Sequence, residues 1–287
     1  MKNSAISRIV VCAALSGTAL MLASAAPAAQ PSGKIPDFGI DAKYAWHEIG
    51  DEFLPPPSGP RPITNDARYP YVDNGQARRT NSQPTYRIAD LTNPILQPWV
   101  VNKMRQDNEA ILKGGVAFRP RERCYPGGVP EFVIYALVAP FYFLQTPKEV
   151  TIINEGGPEI RRVYMNVPHS PHVMPSWYGE SVGHYEGDDT LVVDTIGLST
   201  KSYVDNYRTP HTDRLHVVER FKMSADRKSM EDLIAVDDPG AFTTQWSGIQ
   251  KFNLEVRPLR ESACAENNQD FFHYEVVPLP QTEKPDF

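Results

Sequence analysis

The chain has little positive charge. Its 29 lysines and arginines face 35 acids, a formal balance of −6, and no basic cluster relieves it. That balance speaks against nucleic acid and against anionic membrane surfaces as partners. Beyond residue 29 no apolar run is long enough to span a bilayer. There is no glycine-rich phosphate loop, no nucleophile elbow and no haem or flavin signature. Gly183 and Gly187 read instead as turn or close-approach glycines, and no cofactor is expected. Cysteine is scarce, at positions 12, 124 and 264, and neither Cys124 nor Cys264 has a setting that would activate a thiol.

Proline is abundant, 27 residues in a chain of 287 whose apolar content is an ordinary 41%. That length suits one large β domain or two small ones. Residues 1–29 hold Lys2 and Arg8 but no acid, then the apolar run Ile9 to Ala23, then Ala23-Ser24-Ala25 and Ala26-Pro27-Ala28. A basic start, a short apolar centre and small residues at a cleavage site make a secretory signal peptide. An uncleaved anchor is the alternative. Cys12 sits inside the run and not after a cleavage box, which argues against a lipoprotein. Cleavage would take the charge from −6 to −8 by removing two cations. It would leave a periplasmic or secreted protein with no membrane attachment. In such a compartment Cys124 and Cys264 are expected to pair. The bridge would close a loop of about 140 residues, worth roughly 3–5 kcal/mol by chain entropy; two buried free thiols are the alternative.

Residues 30–94 are proline-rich and weakly periodic. Leu54-Pro55-Pro56-Pro57 and Gly59-Pro60-Arg61-Pro62 cannot lie inside a helix or sheet, because proline lacks a donor and fixes φ. The segment reads as an extended arm that wraps the domain through Tyr44, Trp46, Phe53, Tyr69 and Tyr71; disorder is the alternative. Residues 95–287 read as one helix plus an antiparallel β domain. Pro98 to Leu112 has proline in its first turn, Gly114-Gly115 past its end, and Val100, Met104 and Ile111 at helical spacing. Strands are predicted at Phe132–Leu137, Phe141–Thr146, Glu149–Glu155, Ile160–Asn166, Glu180–Glu186, Thr190–Thr195, Leu215–Met223, Met230–Val236 and Ile249–Arg257. Short strands without interleaved helices predict a mainly β fold. A lipocalin-like antiparallel barrel of roughly eight strands around one ligand pocket is favoured, with a β-sandwich as the alternative.

The stretch Ser176 to Thr195 carries the strongest local signal. Alternation over Glu180 to Glu186, a Gly187-Asp188-Asp189 turn and the β-branched run Thr190 to Thr195 make a hairpin. A three-residue loop pairs Glu186 with Thr190, His184 with Val192 and Val182 with Asp194. Glu180, Val182, His184, Glu186, Thr190, Val192 and Asp194 then share one face, and Tyr185, Leu191 and Val193 the other. A two-residue loop would exchange those faces, since a one-residue slip flips every side chain. The first register is preferred because it separates a carboxylate–imidazole face from an apolar one.

Five of the seven histidines, His169, His172, His184, His211 and His216, fall in one window with Glu180, Glu186, Asp188, Asp189, Asp194, Asp205, Asp213 and Glu219. Imidazole titrates near neutrality and carboxylates orient it, so a site that takes and gives protons is assembled from these types. A solvated acidic β-surface has the same composition. His184 is the expected general base, oriented by Asp194 or Glu186, with Tyr178 or His211 as proton donor and Glu219 and Arg220 setting the charge. Leu215, Val217 and Glu219 share a strand face. An inward Glu219 needs a partner. That partner is His184 across the sheet, or else Glu219 sits on the rim with Arg162 or Arg220. Trp177, Tyr185, His169, His172, His216 and Arg220 are expected to line the substrate, Trp177 being a core anchor in the alternative. His169 and His172, three apart, could join His184 or Glu186 around Zn²⁺, although prolines 168 and 171 forbid the helical metalloprotease motif. The expectation is no metal.

Six segments together resemble a family. They are Cys124-Tyr-Pro-Gly-Gly-Val-Pro, Gln145-Thr-Pro, Arg161-Arg-Val-Tyr, Ser176-Trp-Tyr-Gly-Glu-Ser-Val-Gly-His-Tyr-Glu-Gly, Thr190-Leu-Val-Val-Asp-Thr and Leu215-His-Val-Val-Glu-Arg. The likeness, over about residues 94–268, is to a set of secreted bacterial proteins described only as hypothetical. That family often has Glu-Gly-Asp-Thr at the hairpin turn, where this chain carries one more aspartate. The resemblance implies neither a reaction nor catalytic residues. The residues themselves point to a periplasmic, cofactor-independent lyase, hydratase or isomerase that moves protons on a small apolar or aromatic compound. A non-catalytic carrier of an apolar ligand, or a surface-interaction protein using the proline-rich arm, are the alternatives.

Overall fold

Nine strands close into one barrel in the computed structural model, which describes residues 35–39, 43–134, 140–156 and 159–261. The segment expected to be a signal peptide, and Cys264 with its expected pairing to Cys124, lie outside those residues. The strands are β1 (Tyr44–Glu48), β2 (Phe141–Gln145), β3 (Glu149–Asn154), β4 (Glu159–Met165), β5 (Glu180–Glu186), β6 (Thr190–Ile196), β7 (His216–Met223), β8 (Ser229–Asp237) and β9 (Trp246–Val256). Each neighbours the next in sequence, and β1 closes on β9. All these pairings are antiparallel except β4 with β5, which is parallel. The fold is the expected lipocalin-like barrel and not a sandwich.

The arm is part of the wall. Residues Tyr44–Glu48 form β1, with Ala45, Trp46 and Glu48 buried, and no alternation strong enough to announce five residues beside a proline-rich stretch. Phe38, Phe53, Ile63 and Ile88 from the same arm join the core. A reading in which the arm works apart from a complete barrel does not fit this construction. The arm also holds a short helix, α1 (Asn74–Thr80), whose first turn is capped by Asp73 Oδ1 accepting the Gln76 N–H at 2.7 Å.

Helix α2 (Pro98–Leu112) has the predicted bounds. Val100 and Met104 are buried, and the next position four residues on is Asn108. Its side-chain amide accepts from the Ala89 N–H at 3.1 Å and donates to the Ala89 carbonyl at 2.9 Å, which satisfies a buried polar group. Ile111 is only half-buried. The strand predicted from Phe132 is instead a 3-10 turn, Glu131–Ile134. All four of its residues are buried, so this apolar run fills space under the sheet and pairs with no strand; residues 135–139 are outside the described set.

Alternation decides what points inward. In β7, Val217, Glu219, Phe221 and Met223 are buried while the residues between them are not. Rings pack the middle of the barrel: Phe141 lies 5.2 Å from Phe132 and 5.7 Å from Phe252, both edge-on. Across this apolar interior lies Arg161. Its guanidinium donates to Glu219 at 2.9 and 2.5 Å, to Ser181 Oγ at 3.1 Å and to Thr195 Oγ1 at 2.8 Å. Both partners of this ion pair are essentially unexposed, at 1% and 0%. Glu219 therefore faces inward, as one expectation had it, but its partner is Arg161 and not His184, Arg162 or Arg220.

Candidate active site

The β5–β6 hairpin has the preferred register. Glu186 pairs with Thr190, His184 with Val192 and Val182 with Asp194, around the loop 187–189. The two faces separate as predicted, but the apolar one turns inward: Leu191 and Val193 are buried in the core cluster and Tyr185 packs against it. The carboxylate–imidazole face is the outer wall of the barrel. His184, with its side chain 53% exposed, faces solvent. The expected meeting of these groups in a hollow inside the barrel does not occur.

They meet outside instead. The chain between β4 and β5 returns along the outer wall and brings His169 between two acids. His169 Nδ1 is 3.1 Å from Glu180 Oε1, and its Nε2 is 3.0 Å from Asp194 Oδ1. Carboxylate oxygens only accept, so this pattern suits an imidazole that carries hydrogen on both nitrogens. Asp194 Oδ1 also meets His216 Nε2 at 2.8 Å, from the neighbouring strand β7. Ser170 locks the far end: its N–H donates to Glu180 Oε1 at 2.7 Å and its hydroxyl to Oε2 at 2.5 Å. The Ser170 hydroxyl and backbone bonds, with His169 beside them, hold the Glu180 carboxyl below its usual range. The result is a chain of contacts, Glu180–His169–Asp194–His216, on an accessible surface.

A second pair lies two rows along the same wall. Arg220 bonds Glu186, and His184 Nε2 is 3.4 Å from Glu186 Oε1. Arg220 first, and His184 after it, depress the Glu186 carboxyl. The other members of the Asp194 row are apolar, with Val182 and Val218 flanking Asp194 in the ladder and Ala235 beyond.

Other expected site residues are elsewhere. Tyr178 is directed inward and donates to Glu159 Oε2 at 2.7 Å. Burial, reinforced by the Glu159 charge, pushes its phenol well above the usual range, which makes it a poor proton donor. Tyr185 donates to nothing catalytic; its hydroxyl accepts from Gln145 Nε2 at 2.7 Å. His211 is buried in the β6–β7 connection against Ser202. Trp177 stacks on Tyr125 at 5.8 Å, and His172 is exposed and outside the cluster. The trio His169, His172 and His184 does not converge, since His184 contacts Glu186 and His169 contacts Glu180 and Asp194. Among the described residues no three His, Cys, Asp or Glu side chains form a group suited to a metal ion.

Sequence reasoning missed the ionisable groups of the interior. Besides Arg161 these include Glu48 and Asp232, both buried. Burial raises the Glu48 carboxyl to about 9, and burial with the nearby Glu219 charge raises Asp232 well above its ordinary value. The available signal was parity alone: Glu159, Arg161, Val163 and Met165 alternate with Ile160, Arg162 and Tyr164, and no hydrophobic difference tells the two sets apart.

Compared with known proteins, the chain matches no family model and no curated protein.

Proposed function

We propose that this is an exported, cofactor-independent acid–base catalyst acting on a small, largely apolar compound held against the outer wall of β5, β6 and β7. The supporting observation is that Asp194 Oδ1 serves two imidazoles, one of them on a half-exposed side chain, His216. If Asp194 accepts the His216 Nε2–H, the ring is held in one tautomer and Nδ1 is left as the base. His169, flanked by two carboxylates, is the matching proton donor. The apolar strip of Val182, Val218 and Ala235 would seat the body of the compound. A base and an acid on one face suit a carbon acid: a proton taken from one position and returned at another gives an isomerase, and its loss with a leaving group gives a lyase. A hydratase runs the latter in reverse. His184, exposed and paired to Glu186, becomes a peripheral residue in this reading.

Native mass spectrometry of protein from its own compartment would supply the compound. Asp194→Asn keeps the shape and removes the charge that orients His216. Its turnover is expected to fall about 100-fold, with that of His216→Ala falling at least as far. Unchanged turnover in both variants would exclude the site. A carrier reading is favoured by one feature, the stacked Tyr125–Trp177 pair, whose tyrosine is 54% exposed and offers an aromatic platform. A carrier would lose affinity on Trp177→Ala and be indifferent to Asp194→Asn.

A further inference from the structure

A second arrangement of catalytic type lies in the connection between β6 and β7, away from the outer wall. His211 Nδ1 is 2.8 Å from the Thr212 carbonyl oxygen, which can only accept, so that nitrogen carries the hydrogen. Nε2 is then the lone-pair nitrogen, and it lies 3.0 Å from Ser202 Oγ. Thr212 is itself clamped: Asp238 Oδ2 accepts its N–H at 2.6 Å and Oδ1 its hydroxyl at 2.7 Å. Hydroxyl, imidazole and a fixed acceptor behind it are the parts of an activated serine, with a peptide carbonyl in the place a carboxylate often takes. Burial holds the His211 ring below its usual range and so neutral, the form a base needs.

Ser202 Oγ is also 2.9 Å from the Ser199 carbonyl, so the hydroxyl hydrogen has two acceptors and the turn at 199–202 does not depend on His211. What covers the pair is backbone. A Cβ on Gly128 would sit 2.6 Å from Ser202 Cβ and 2.8 Å from its Oγ, and the φ of +81° also calls for glycine. Gly128 thus lies directly on the hydroxyl and presents no side chain to it. Trp177, whose carbonyl oxygen is 3.0 Å from the same point, borders the cover.

We infer that Ser202 is a nucleophile and His211 its general base, acting on a carboxylic ester that reaches the hydroxyl once Gly128 moves off it. Ser202 Oγ attacks the ester carbonyl carbon as its proton passes to His211 Nε2. The carbon–oxygen bond to the alcohol breaks, and the alcohol leaves with that proton. Water, deprotonated by the same nitrogen, then attacks the acyl-serine, releasing the acid and restoring the hydroxyl.

The test treats the full chain with a fluorophosphonate probe and maps the adduct by tandem mass spectrometry. The expected result is one adduct per chain, on Ser202, with Ser202→Ala unlabelled. His211→Ala should slow labelling by about 100-fold or more. An unlabelled wild-type protein, an adduct confined to another residue, or a folded His211→Ala that labels at the wild-type rate would each overturn the inference. Mapping the wild-type protein needs no variant, so a misfolded substitution leaves the test standing.

Discussion

Arg161→Met is expected to cost about 3–5 kcal/mol of stability, the range for breaking a buried ion pair from one side. The substitution leaves the Glu219 carboxylate, fully buried, without the guanidinium that now bonds both of its oxygens. Ser181 and Thr195 lose an acceptor-matched donor at the same time. Asp232 is close enough for its own ionisation to be opposed by Glu219, so the interior has no spare cation to offer among these groups. The double substitution Arg161→Met with Glu219→Leu should recover most of the loss, because well-packed apolar side chains replace such pairs at little cost. Denaturant midpoints at an unchanged m-value would measure both effects. A single substitution that shifts stability by less than about 1 kcal/mol would mean that the pair is solvated, as surface pairs are.

Glu48→Gln is expected to make the protein more stable at neutral and alkaline pH and to leave it nearly unchanged near pH 4. Both carboxyl oxygens of Glu48 are buried and lack a hydrogen-bond partner among the described residues. Burial raises the folded-state pKa to about 9 from an ordinary 4.5. The folded state therefore holds the proton more tightly than the unfolded chain. Its contribution is fully present below pH 4.5 and is lost as pH rises toward 9. By pH 7 the loss is about 3 kcal/mol, at 1.36 kcal/mol per pKa unit, and relaxation around the carboxylate would reduce it. Melting temperatures of both proteins across pH 4 to about 9 check this: the wild-type curve should fall away from that of the variant. Parallel curves would place the carboxyl in water.

Much of this architecture is written locally. Helix α2 announces itself by a first-turn proline, a stripe at 100 and 104, and glycines beyond its end. The β5–β6 register follows from a three-residue turn and period-two alternation, both short-range properties. The direction in which that hairpin faces is not local. It depends on which wall the arm and the other strands cover, and Val182 and Val192 on the outer face look as apolar as Val193 on the inner one. Arg161 was invisible for a related reason. A buried arginine is tolerated only with its partner, and Glu219 is 58 residues away on a strand three removed. β1 was hidden by neighbouring prolines, although Trp46 and Phe53 were legible as residues with something to bury. The acid–imidazole cluster was readable as a set of residues, and its position on the outside was not.

Walking once around a closed sheet, each antiparallel step reverses the chain, and the reversals must cancel by the time the starting strand is reached again. Nine steps cannot all reverse. One pair of neighbours must run the same way, and here it is β4 and β5. Like-directed neighbours cannot be joined by a tight turn, so the chain has to travel back along the wall between Met165 and Glu180. That obligatory return journey is what carries His169 and Ser170 onto Glu180 and Asp194. An odd strand count thus supplies the stretch of chain on which the imidazole is mounted; a barrel with one strand fewer, all its steps alternating, would have no reason to possess it.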